Sequence, residues 1–239
     1  MPSANGVLPP LLLLPGLLND AELWREPMAL LADVADCRVG DFIGSADIGA
    51  AAAKMLAEAP PRFALAGFSL GGYVAQEMLR QAPERIERLA LLDTSSRPDT
   101  HEQARRRASA AKVAQLARGR FSGFGENIAE RFMAPAHFRD EAMVARVRSM
   151  TTRLGAEVFL RQNGWQRKDG RALLAAYSGP ALVVCGALDQ VTPPPLSEEM
   201  AALLSAGELV MVPDSGHLTP IERPRPVAAA LRAWLARGR

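Results

Sequence analysis

The run Phe63-Ala64-Leu65-Ala66-Gly67-Phe68-Ser69-Leu70-Gly71-Gly72 constrains this chain more than any other stretch. Its first part is short and uniformly apolar, as a buried strand is, and it breaks at a serine with a glycine two residues to either side. Beyond the break, Tyr73, Val74, Met78 and Leu79 recur at helical spacing as far as Pro83. A strand that turns into a helix over a single serine is the setting of a nucleophile elbow. In such a turn a strained backbone pushes the Ser69 hydroxyl out of the sheet, and Gly67 and Gly71 keep it free of Cβ clashes. The Leu70 N–H then lies at a helix N-terminus, where negative charge is stabilised.

Strands and helices alternate around this turn. Leu11 to Leu14 reads as a short buried strand closed by Pro15-Gly16-Leu17-Leu18. Asn19 and Asp20 can cap a helix carrying Leu23, Trp24, Met28 and Leu31 on one face, with Pro27 near its first turn. Cys37 to Phe42 makes a poor strand, and Asp47 caps an alanine-rich helix from Ile48 to Ala59 that ends at Pro60-Pro61. Ile86 to Leu92 is the next strand, closing at Asp93. Such alternation favours a parallel sheet covered on both faces, because each crossover needs a helix to return the chain.

From Arg97 to Tyr177 the pattern is helix after helix: Glu102 to Arg118, Gly125 to Met133, Asp140 to Leu154 and Ala156 to Asn163. We read 97–177 as an inserted helical lid, with 1–96 and 178–239 forming the core. Apolar lid residues, among them Phe124, Trp165, Phe159, Phe132 and Met133, pack mainly on one another, and the last four are candidates for lining a pocket over Ser69. The segment holds 16 Lys and Arg against 8 Asp and Glu, a net +8 in a chain whose total is +2. Such a surplus makes a solvated helix face, or else a basic surface for an anionic substrate or an acidic carrier protein. Alternation resumes with a strand from Ala181 to Gly186 and a proline stop at Pro193-Pro194-Pro195. A helix from Leu196 to Leu204, a strand from Leu209 to Val212 and a last helix starting at Pro226 complete the chain.

A length of 239 residues suits one sizeable domain with an insertion. No apolar run is long enough to span a membrane, and Met1 to Pro10 lacks the basic start of a secretory signal. Cys37 and Cys185 read as buried free thiols, so the expected compartment is the cytoplasm. Neither zinc-type Cys/His spacing nor a dinucleotide-binding glycine pattern occurs; no metal, cofactor or nucleic-acid partner is expected.

In an open parallel sheet the functional groups gather beyond the carboxyl ends of the strands. Ser69, Asp189 and His217 each follow a strand, in the order Ser, acid, His that an elbow predicts. Serine needs a base within hydrogen-bond reach, and imidazole suits that task. Of the three histidines, His101 and His137 fall in the charged helical stretch and read as surface residues, whereas His217 sits in a glycine-containing loop after a strand. The base needs a carboxylate to fix its tautomer. Asp189 is preferred, Asp93 is the competitor whose alternative role is to hold a loop, and Asp214 is too close to His217 along the chain. Two N–H donors must face a developing oxyanion, and Leu17, after Gly16, joins Leu70 as the candidate.

Over nearly its whole length the chain resembles the α/β-hydrolase fold family. The resemblance rests on Gly67-Phe68-Ser69-Leu70-Gly71, the Gly16 loop, Gly186-Ala187-Leu188-Asp189 with Thr192-Pro193, and Ser215-Gly216-His217 with Pro220, Glu222 and Pro224. Between Asp93 and Ala181 it looks like small bacterial carboxylesterases such as the pimeloyl-carrier-protein methyl ester esterases and the 3-oxoadipate enol-lactonases. The resemblance implies about six parallel strands, no N-terminal hairpin, and serine-dependent hydrolysis of small to medium carboxylic esters. Lactone, thioester or carbon–carbon bond cleavage, and acyl transfer or perhydrolysis, are chemical neighbours. A ligand-binding protein on the same scaffold is the alternative from another class. Many members carry His-Gly where this chain has Pro15-Gly16, and epoxide and haloalkane hydrolases carry Asp where it has Ser69.

Overall fold

A computed structural model describes residues 8–116, 121, 123 and 127–237. Its centre is a six-stranded sheet of β1 (Pro10–Leu14), β2 (Asp36–Val39), β3 (Phe63–Phe68), β4 (Ile86–Leu92), β5 (Ala181–Gly186) and β6 (Gly207–Val212). The order is β2-β1-β3-β4-β5-β6, and every pair is parallel. All six residues of β3 and of β5 are buried, as their unbroken apolar runs require. The edge strand β2 alternates exposed and half-buried residues, which is why it reads poorly as a strand.

Side chains on successive strand positions point to opposite faces, so each strand feeds two cores. Leu11, Leu13, Ala64, Ala66, Phe68, Ala90, Leu92, Leu182 and Val184 pack on one face under α1 (Arg25–Leu31) and α10 (Pro224–Ala236). Leu12, Leu14, Phe63, Leu65, Leu89, Leu91 and Val183 face α2 (Ile48–Glu58) and α3 (Leu70–Gln81) on the other. Trp234 anchors the first face: it is fully buried and donates from its indole to the Pro180 carbonyl at 3.1 Å. Trp234→Ala is expected to lower stability by about 3–5 kcal/mol in urea unfolding, through lost burial and the cavity left behind.

Between β4 and β5 the chain forms α4 (His101–Leu116), α5 (Ile128–Phe132), α6 (Glu141–Asn163) and α7 (Arg171–Ala176). The helical expectation holds for the described part, while Phe124 and the ends of two expected helices lie outside the described residues. Gly155, with φ +77°, kinks α6 where two helices were expected. The sequence reading missed α7, a short helix with one buried residue, Leu174, that packs against α3 and against α8 (Pro194–Leu203). The proline run is not a stop: Pro194 and Pro195 form the first turn of α8, where no N–H is needed. Cys37 is half-buried rather than buried, because it lies on the edge strand, and both thiols are free.

Much of the positive surplus between β4 and β5 is matched by acids elsewhere in the chain. Arg146 contacts Glu22 at 2.8 Å and Glu26 at 2.6 Å, Arg153 contacts Asp20 at 2.6 Å, and Arg97 contacts Glu199 at 2.7 Å. No helix among the described residues is long and apolar enough to cross a membrane.

Candidate active site

The strand order reverses between β1 and β3: the chain runs outward from β1 to β2, then returns past β1. In a parallel sheet that switch opens a crevice at the carboxyl ends, between the loops that follow the two strands. Ser69 follows β3 and the Gly16-Leu17-Leu18 loop follows β1, so the topology places both at its rim.

Ser69 has φ +49° and ψ −116°, a strained geometry for a residue with a Cβ. Its amide donates to the Leu92 carbonyl at 2.9 Å, and its own carbonyl accepts from the Thr94 hydroxyl at 2.7 Å. A Cβ at Gly71 would sit 2.5 Å from the Pro15 carbonyl oxygen, and one at Gly67 would sit 2.5 Å from that of Gly71. Glycine is therefore required on both sides of the turn.

Ser69 Oγ is 2.9 Å from His217 Nε2, and His217 Nδ1 is 2.8 Å from Asp189 Oδ2. His217 and Asp189 are buried, while Ser69 remains partly open. Asp189 Oδ1 accepts from the amides of Val191 and Thr192 at 2.7 and 3.0 Å, and the Thr192 hydroxyl donates to Oδ2 at 2.7 Å. Burial pushes the Asp189 carboxyl up, but the adjoining imidazole and these donors outweigh it and hold the group below its usual range. The rings of Phe68 and Phe132 flank His217, with centroids 5.2 and 6.1 Å away.

Asp93 is fully buried and, among the described residues, makes no hydrogen bond to His217; it bonds the Gly186 amide at 2.8 Å and the Thr219 hydroxyl. His101 is exposed, as expected, whereas His137 is half-buried: it lies near Glu222, while Pro135 and Ala136 in the same turn are exposed. The amides of Leu17 and Leu70 find no hydrogen-bond partner among the described residues. The next amide, Leu18 N–H, is taken by Gln162 Oε1 at 3.1 Å. Of the candidate pocket residues, Phe159 packs on Leu17 and Leu18 and Phe132 lies beside the imidazole. Met133 and Trp165 are buried, Trp165 with its ring 6.0 Å from that of Phe42.

Three supports were given no structural role from the sequence, although Thr192 and Glu222 are among the residues that carry the family resemblance. Gln162 holds the loop after β1 from 144 positions away, and no local pattern signals such a partner. Thr192 steadies Asp189, and its place three residues after the acid was the available signal. Glu222 is buried and accepts from the amides of Gly216, Leu218 and Ala134, so one carboxylate ties the loop of His217 to the end of α5. Burial raises the Glu222 carboxyl against these amides, which favour its charged form. Asp93, Cys185 and Asp189 bring ligand-type atoms within 4.8 Å of one another. The carboxylates are committed to the bonds above and burial pushes the Cys185 thiol up to about 12, so this donor set does not suit a metal ion.

Residues 59–224 match the model of the alpha/beta hydrolase fold family. The chain belongs to the α/β-hydrolase family. A pimeloyl-[acyl-carrier protein] methyl ester esterase of Neisseria meningitidis is 25% identical over 201 residues, 82% of this chain and 78% of that protein. A Mycobacterium tuberculosis protein bearing the name non-heme bromoperoxidase is 32% identical over 201 residues, 78% of this chain and 72% of that one. Among solved structures, a thermophilic esterase from Thermogutta terrifontis, determined with malate bound, matches with a TM-score of 0.82 and 31% identity, covering 96% of this chain and 90% of that one. This α/β-hydrolase therefore has named esterases among its relatives.

Proposed function

We propose that the protein is a serine-dependent hydrolase of small to medium carboxylic esters that works through an acyl-enzyme. The observation that carries this reading is the continuous contact from Ser69 through His217 to Asp189, with the serine strained outward at the sheet's switch point. His217 takes the Ser69 proton as Oγ attacks the ester carbonyl, and the Leu17 and Leu70 amides receive the oxyanion. Asp189 holds the imidazole in the tautomer that leaves Nε2 free to accept, and stabilises the imidazolium. The imidazolium then protonates the departing alcohol. Water, activated by the same base, releases the acid. The helical segment 97–177 serves as a lid that selects substrates, with Phe132 beside the imidazole and Phe159 against the loop of Leu17 and Leu18. Two unpaired cysteines fit a cytoplasmic location.

Hydrolysis of p-nitrophenyl acetate, butyrate and octanoate tests this reading and ranks acyl-chain lengths. Turnover of at least one ester above that of Ser69→Ala supports it. No difference on any of them would leave a ligand-binding scaffold in its place. The relative named for bromoperoxidase chemistry keeps transfer of the acyl group to an acceptor other than water, such as a peroxide, as a variant of the same mechanism.

A carrier-linked ester is the second reading, favoured by the substrate in the name of the Neisseria relative. The arginines paired with Asp20, Glu22, Glu26 and Glu199 are already engaged, so an acidic carrier would meet exposed ones such as Arg105 and Arg148. On this reading kcat/KM for a carrier-tethered ester falls steeply between 50 and 300 mM salt while that of a small ester does not. Equal salt dependence of the two would dismiss it.

A further inference from the structure

Asp93 stands apart from the relay yet touches both of the loops that supply it. Its Oδ1 accepts from Gly186 N–H, at the start of the loop that ends in Asp189, and its Oδ2 meets Thr219 Oγ1, two residues beyond His217. The residue is fully buried and has φ +44°, so its backbone is held in an uncommon region by these contacts and by the bond from its amide to the Val184 carbonyl at 2.9 Å. The carboxylates of Asp93 and Asp189 lie within 4.8 Å of each other, out of water, and two negative charges do not coexist in such a place.

Hydrogen bonding decides which of the two carries the charge. Asp189 has two amides, the Thr192 hydroxyl and the His217 ring around it. Asp93 has one amide and one hydroxyl, and the other titratable groups facing it are Cys185 on β5 and Glu222 on α9 (Thr219–Glu222), neither of which is a cation. We infer that Asp93 is a positioning residue that works as a neutral, proton-bearing carboxylic acid, pinning the acid loop to the base loop without placing a second negative charge beside Asp189. Burial first, and the Asp189 charge second, hold its carboxyl well above the usual carboxylate range, in keeping with that role.

The kinetic arm of the test rests on the serine-hydrolase reading; the thermal arm does not. Asparagine reproduces the protonated acid, with an oxygen for Gly186 N–H and an NH2 for Thr219 Oγ1. Asp93→Ala is expected to lower kcat on p-nitrophenyl butyrate about 10–100-fold with KM within about threefold, because misplacement of Asp189 and His217 is felt in the chemical step. Asp93→Asn is expected to recover most of that loss and to leave the acid limb of the kcat/KM profile where it is in wild type. In the thermal arm, a carboxyl raised on folding binds more protons in the native state, so its stability contribution falls as pH rises above the unfolded value of about 4. Wild type should therefore lose Tm relative to Asp93→Asn by about 3–5 °C per pH unit from pH 5 upward, until the native group ionises. A Tm difference independent of pH would overturn the inference whether or not the enzyme turns over an ester and whether or not Asp93→Ala folds. So would an Asp93→Asn loss as large as that of Asp189→Asn, an acid limb displaced to lower pH in Asp93→Asn, or an Asp93→Ala enzyme with wild-type kcat.

Discussion

Ser69→Ala is expected to lower kcat on p-nitrophenyl butyrate by about a millionfold, the scale on which loss of a triad nucleophile acts, equivalent to about 8 kcal/mol of barrier. The substitution removes one atom. That atom contacts His217 Nε2 at 2.9 Å, while the elbow itself is held by the Leu92 carbonyl and the Thr94 hydroxyl through the Ser69 backbone. Alanine keeps those backbone bonds and the same Cβ at φ +49°, so Tm should stay within a few degrees of wild type. Activity measured on the purified variant, with Tm as a control, separates loss of chemistry from loss of fold. A variant that folds and keeps more than about one hundredth of wild-type turnover would show that attack does not come from Ser69.

Asp189→Asn should cost about 10,000-fold in kcat, or about 5 kcal/mol, with little change in KM. The reasoning is geometric. Oδ1 faces the Val191 and Thr192 amides, so the carbonyl oxygen of an asparagine must take that side, leaving its NH2 toward His217 Nδ1. An NH2 there forces Nδ1 to accept, which puts the imidazole proton on Nε2, pointing at Ser69. The base is then present, correctly placed and in the wrong tautomer. Since Asp93→Asn is the same chemical change on a carboxyl within 4.8 Å, the contrast between the two variants measures hydrogen-bond direction rather than proximity.

The sheet and the three side chains that meet at Ser69 were legible because each depends on local pattern. Buried strands such as β3 and β5 announce themselves as apolar runs, and Ser69, Asp189 and His217 are found by standing just past such runs. Other features depend on what lies across the molecule. Nothing near Pro193 separates a helix stop from the first turn of α8, because the same prolines serve either end of a connection. Leu174 alone gives α7 too little periodicity to be seen. His137 reads as a surface residue because the stretch around it is charged, and its place near Glu222, distant in the chain, leaves it half-buried. Charge counts mislead in the same way. The surplus in 97–177 reads as a surface property, yet Arg146 and Arg153 spend it on acids near the start of the chain.

The bonds from His217 N–H to the Phe132 carbonyl at 2.8 Å and from Ala134 N–H to Glu222 at 2.7 Å make the end of α5 part of the mounting of the imidazole. A Cβ at Gly216 would lie 2.6 Å from the Met133 carbonyl carbon, so the two backbones fit only as a matched pair. For anyone building chimeras, this sets a splice rule. Helices between β4 and β5 can be exchanged with those of a relative only if residues 132–134 travel with the loop from Ser215 to Glu222, since parting them strips the loop of His217 of its outer fastening even when Ser69, Asp189 and His217 are all retained.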